Sequence, residues 1–158
     1  MICDKIPAVV LAGQRSGKNP NKEHFGPFTT VGGKYAINHV LESLQNSEEI
    51  EKIVVVAEQN RHSKLLSNTR LGKKLEVIVP ELGPSLSAQK ALKKIKLPSL
   101  LTSGDHPLLS IETIKYFLGK SLEKEADLTV GIVPHSLLLE KKINEKRTRY
   151  RFKDGDFC

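Results

Sequence analysis

Apolar residues gather in short runs at regular intervals: Ala8–Leu11, Ile53–Ala57, Leu75–Val79, Ser99–Thr102 and Leu128–Val133. The first two are continuous and rich in β-branched residues, the mark of strands buried on both faces of a sheet. Leu75–Val79 ends at Pro80, which has no ladder donor. The segments between the runs follow a helical period. Ile37, Val40, Leu41 and Leu44 form one stripe, predicting a helix over Tyr35–Gln45. Ile111, Ile114, Leu118 and Leu122 form another, predicting a helix from Ser110 to about Glu123 with Ser110 as its cap. Further helices are expected over Arg61–Arg70 and from Ser85, as N-cap, to about Lys94. Phe28–Val31 reads as a short strand closed by Gly32-Gly33. Alternating strands and helices predict an α/β domain of three layers, α/β/α, with a mostly parallel sheet.

Past Pro134 the pattern changes. Ser136–Ile143 fits either a short helix or a strand. Arg147–Phe152 alternates Arg147, Arg149, Arg151 with Thr148, Tyr150, Phe152, a strand with one basic and one apolar side. Asp154-Gly155 is a hairpin signal, yet only three residues follow it, so no second strand is expected.

Composition narrows the class. With 158 residues, 27% charged and 39% hydrophobic, the chain fits one ordinary globular domain. The N-terminal residues do not read as a signal peptide, and no run nears the ~18 apolar residues of a membrane span. Cys3 and Cys158 stand at the extreme ends without metal-ligand spacing, so a reducing cytoplasm is the expected setting. The net charge of +7 allows nucleic acid, a membrane surface or anionic small molecules as partners. Much of the excess lies between Lys141 and Lys153, where a solvated basic face is the plainer reading than RNA binding.

Ala8–Lys18 carries the candidate chemistry. A buried strand opens into Ala12-Gly13-Gln14-Arg15-Ser16-Gly17-Lys18, placing backbone N–H groups and two cations at its carboxyl end, where open α/β sheets bind ligands. Only Gln14, Arg15 and Ser16 separate Gly13 from Gly17-Lys18, so the loop is no Walker A. Arg15 stands where the dinucleotide fingerprint needs glycine. Counting alone leaves open a different phosphate loop or a glycine-rich turn. Asp105, just past the Ser99–Thr102 run, is either a turn residue or a hard oxygen ligand for Mg²⁺. Ser85 and Ser87, after the Leu75–Val79 run, are either capping groups or small donors and acceptors beside a nucleobase.

Leu11-Ala12-Gly13-Gln14-Arg15 resembles the signature loop of the MobA-like NTP transferases, and Gly104-Asp105-His106-Pro107-Leu108-Leu109 resembles that family's metal-binding segment. The resemblance implies a Rossmann-like nucleotidyltransferase fold and a Mg²⁺-dependent transfer of a nucleotidyl group from an NTP to a small acceptor, with release of pyrophosphate. It implies catalytic roles for Arg15 and Asp105, with Asp105 on the metal. Nucleotide would be bound by Leu11 to Lys18 (including Ser16 and Gly17), with Lys22, Gly83, Ser85 and Ser87 as further contacts. His106 fills a position that varies in the family and is read as structural. There are departures. No lysine stands in Phe25–Thr30, where the family has one, and Lys22 is the nearest. Family members also continue past the Asp-Gly turn with a Gly-x-Asn strand and more helices, often with a second metal ligand. The chain is therefore expected to be one C-terminally truncated domain, its NTP-binding part at 1–133 and a partial acceptor side at 134–158. The alternative is an inactive nucleotide-binding or interaction domain left by truncation.

Overall fold

A computed structural model of the chain describes residues 5–13, 26–62, 65, 74–124, 126–141 and 149–158. They form two compact units, Met1–Leu118 and Gly119–Cys158.

In the first unit, β1 (Ile6–Leu11), β4 (Ile50–Val56), β5 (Lys74–Ile78) and β6 (Leu100–Ser103) make one sheet in the order β5-β4-β1-β6. Every pairing is parallel. Pro7 cannot donate to the ladder, and the β1–β4 register shifts between Ile6 and Pro7. A small hairpin, β2 (Thr30–Val31) and β3 (Lys34–Tyr35), follows β1. Its turn needs positive φ at both central residues, and Gly32 (57°) and Gly33 (82°) supply it.

The sheet is buried on both faces, and the strands' period of two sorts the core. Ala8, Val10, Ile53 and Val55 face α1 (Ala36–Asn46) and α3 (Ile111–Leu122), meeting Ile37, Val40, Leu41, Leu44, Ile114 and Leu118. Val9, Val54, Val56 and Ile78 face α2 (Pro84–Leu92), which contributes Ala91. Helices on both sides of a parallel sheet give the expected three layers. The helix predicted over Arg61–Arg70 lies mostly outside the described residues; Gln59–Arg61 forms a short 3₁₀ turn.

Ser85 does not cap α2. Gly83 is the N-cap and Pro84 takes the first helical position, where its missing N–H costs nothing and its fixed φ suits the helix. Ser110 does cap α3: its Oγ accepts the Thr113 N–H at 3.2 Å.

The second unit departs further from the sequence pattern. Leu128–Val133 forms no strand; among the described residues only Val133 gains a backbone partner, exchanging two 2.9 Å bonds with Cys158. An apolar run with no described strand to close its ladder does not become one, and Leu128 and Val130 stay exposed. His135–Glu140 is a helix, α4. The Asp154-Gly155 turn does have a second strand: β7 (Tyr150–Phe152) pairs with β8 (Gly155–Phe157). Three residues suffice because Phe157 packs edge-on against Phe152 and bridges Pro134 on its other side.

An ion-pair triad braces the β4–β5 edge. Glu76 accepts Lys52 Nζ at 2.9 Å and Lys94 Nζ at 3.0 Å. The hydrogen bond from Lys52, then that from Lys94, hold its carboxyl below the ordinary value of 4.5, against some desolvation. A carboxylate depressed by folding stabilises above its unfolded pKa and loses that contribution as pH falls through the folded one. Glu76→Gln is therefore expected to flatten the acid limb of a urea-stability profile below about pH 4.5. Leu44, fully buried on α1, should cost about 2–5 kcal/mol of unfolding free energy when cut to alanine, read from urea denaturation.

Candidate nucleotide site

The sheet's topology singles out one place on its rim. The chain steps from β1 to β4 to β5, then returns to lay β6 on the other side of β1. The switch point lies between β1 and β6, and ligands of such sheets bind beyond the carboxyl ends there. Leu11 pairs with Ser103, so Gly13 and Asp105 each stand two residues past that last paired position.

Backbone bonds continue past the strand ends and fix this rim. The Gly104 N–H donates to Leu11 O at 2.8 Å, Ala12 N–H to Val56 O at 2.8 Å, and Ala57 N–H to Ile78 O at 3.0 Å. Together they tie the exits of β6, β1, β4 and β5. Gly104 is buried because nothing larger fits: a Cβ there would lie 3.2 Å from Pro27 Cβ and 3.3 Å from Ala12 Cβ. Gly13 is exposed; its side-chain direction points toward Pro80 Cβ at 3.7 Å and Glu58 Oε1 at 3.9 Å.

Asp105 is half-buried, and Ser103 Oγ donates to its Oδ1. No described residue takes its Oδ2. The loop behind it is anchored to α1, with Ser43 Oγ donating to Leu109 O at 2.6 Å. His106 is exposed and only its carbonyl is used, accepting the Leu109 N–H at 3.0 Å. Among the described residues no three His, Cys, Asp or Glu side chains cluster as a complete metal cage.

The serines divide. Ser87 is buried, and its Oγ accepts the Glu81 N–H at 2.9 Å, which holds the loop after β5 against α2. Ser85 is exposed on the first turn of α2, and Gly83 lies beside it at the N-cap. Leu11 and Ala12 meet the loop that opens at Gly104 and leads to Asp105, Gly13 follows them on the side of Pro80 and Glu58, and Gly83–Ser87 follows the exit of β5, beyond β4. Gln14, Arg15, Ser16, Gly17, Lys18 and Lys22 lie outside the described residues. Sequence reasoning passed over Glu58, though it stands just past a buried strand as Gly13 and Asp105 do.

Comparison with known proteins identifies the family. The family model described as the MobA-like NTP transferase domain matches residues 8–151. The chain belongs to this family. A probable molybdenum cofactor guanylyltransferase of Pyrococcus furiosus is 40% identical over 110 residues, which make up 68% of this chain and 53% of that protein. This MobA-like chain thus spans about half the length of the curated relative it matches. A hypothetical transferase from Thermus thermophilus is 25% identical, with a TM-score of 0.70, over 97% of this chain and 62% of that one. A CMP:2-keto-3-deoxy-manno-octonic acid synthetase solved with CTP shares the fold at 18% identity and a TM-score of 0.58, over 82% of this chain and 51% of that one.

Gly104→Ala tests the close approach at the rim. The added methyl meets short, stiff neighbours, so a loss of about 1–3 kcal/mol is expected in urea denaturation.

Proposed function

We propose that this MobA-like domain binds an NTP with Mg²⁺ across the carboxyl ends of β1 and β6 and passes its nucleotidyl group to a small, phosphorylated acceptor. The single observation that supports this most is the pairing of Leu11 with Ser103, from which Gly13 and Asp105 each follow two residues later. In the reaction an acceptor oxygen forms a bond to the α-phosphorus, the α–β phosphoanhydride bond breaks, and pyrophosphate leaves with its electron pair.

Asp105 fits a metal shared with phosphate rather than caged by protein. It offers one hard oxygen, Oδ2, and Ser103 fixes the carboxylate plane through Oδ1. Mg²⁺ takes one or two carboxylates and fills its shell with phosphate oxygens and waters. When bound, the ion supplies positive charge against the developing pyrophosphate.

The remaining roles belong to the chain. Gly13 lets backbone approach a phosphate with no Cβ in the way. Arg15 provides a permanent, forked cation, with Lys18 and Lys22 as further neutralising charges. Gly83 and Ser85 border the base, and Ser87 supports that loop from below through Glu81. On this reading 1–133 is the NTP-binding part and 134–158 begins the acceptor side of the same domain. Among the described residues no helix is long and apolar enough to cross a membrane.

Calorimetry with Mg²⁺ and each of the four NTPs tests the assignment. Asp105→Ala and Arg15→Ala are each expected to weaken binding about tenfold or more, the worth of one charged contact. Wild-type affinity in both variants would sink it. Pyrophosphate release with candidate acceptors separates a transferase from a domain that binds nucleotide without turnover.

A further inference from the structure

The rim carries a cation that the nucleotide reading does not use. Arg61 closes the short 3₁₀ turn after β4, its N–H donating to Glu58 O at 2.9 Å. Its guanidinium lies over the Phe28 ring, with Cζ 4.6 Å from the centroid. Phe28 is held in turn by Tyr35, edge-on at 5.9 Å between centroids, and packs on the core beneath α1.

This contact has a chemical consequence. A cation at this distance from a ring is attracted by its quadrupole, which engages the charge without using up the guanidinium N–H donors. Among the described residues no carboxylate pairs with that charge and no acceptor takes those donors. Glu58, three residues earlier, makes no ion pair with it. Phe28 thus fixes the place of the half-buried arginine, and no described residue neutralises it.

Its position closes a ring around the candidate site. Glu58 Oε1 lies 3.9 Å from where a Gly13 Cβ would stand, which ties the Arg61 turn to the end of β1. Pro27, next to Phe28, lies 3.2 Å from where a Gly104 Cβ would stand, which ties Arg61's platform to the Asp105 loop. The Pro27 and Thr29 carbonyls accept the Ile37 and Ala36 N–H groups at 2.9 Å each, so the platform is fixed to α1.

We infer that Arg61 is a phosphate-binding residue of this site, held beside Phe28 with its forked donors available to a phosphate group. The inference rests on the nucleotide reading for what occupies the rim. The phosphate belongs either to the NTP or to the acceptor, and both offer the paired oxygens that a guanidinium fork matches.

Calorimetry with two probes tests this on wild type, Arg61→Gln, Arg61→Lys and Phe28→Leu. The probes are Mg²⁺·NTP, and inorganic phosphate added with and without saturating Mg²⁺·NTP. Arg61→Gln is expected to weaken one probe about tenfold or more while the thermal midpoint stays close to wild type. Arg61→Lys keeps the charge without the fork and should fall between the two. Phe28→Leu removes the platform and should cost about threefold. Loss with NTP assigns the contact to the nucleotide; loss confined to inorganic phosphate assigns it to the acceptor. Equal binding of both probes by wild type and Arg61→Gln overturns the inference alone, provided Asp105→Ala still weakens NTP. A wild-type chain that binds neither probe overturns it together with the reading beneath it.

Discussion

Everything at the rim hangs on three backbone hydrogen bonds that outlast the strands. Gly104 donates to Leu11, Ala12 to Val56, and Ala57 to Ile78, each crossing from one strand exit to the next. A parallel ladder slants its bonds and spaces them evenly, so each strand can be followed by one more rung at its carboxyl end. Those rungs hold the first residues of the connecting segments at fixed height. Without them Gly13 and Asp105 would be neighbours in topology only.

The rungs require closeness, and closeness restricts side chains. Gly104 and Ala12 touch because one has no side chain and the other only a methyl. The core below sets the same demand. Val9 and Val54 fill one face while Ala8, Val10 and Val55 fill the other, so β1 cannot slip by one residue without exchanging its faces. The helices answer to this arrangement. The free N–H groups at the start of α1 are met by Pro27 and Thr29 carbonyls, which brings the segment beside Gly104 into the rim.

The sheet's charges are arranged unevenly. Glu76 pairs with both Lys52 and Lys94 along the β4–β5 edge, away from the rim. Exposed pairs of this kind contribute little each. Arg61 instead lies against the Phe28 ring, and no described residue pairs with its charge. In a protein of net charge +7, a guanidinium set against a ring and unpaired among the described residues differs from a free surface lysine, because its donors form a planar fork.

Much of the architecture was legible in the residues. Continuous β-branched runs at Val9–Val10 and Ile53–Val56 demanded burial on both faces, and the stripe Ile37, Val40, Leu41, Leu44 demanded a helix over one of them. The placing of Gly13 and Asp105 at strand exits was legible for the same reason. The second unit was legible only in part: a strand does stand at Tyr150–Phe152, and the segment after Pro134 takes its helical option at His135–Glu140. Leu128–Val133 has a strand's composition, but a strand exists only where another supplies its hydrogen bonds, and composition does not say whether one is there. The start of α2 was misread because serine's capping power outweighed proline's fit to the first helical position. Local sequence therefore determined the strands, the stripes and the small residues at the rim, since burial and backbone freedom are properties of single positions. Tertiary structure alone decided that Ser103 stands beside Leu11, that Ser87 serves its own loop, and that Arg61 joins the rim across Phe28. Those facts depend on which distant segments meet, and no periodicity along the chain encodes that.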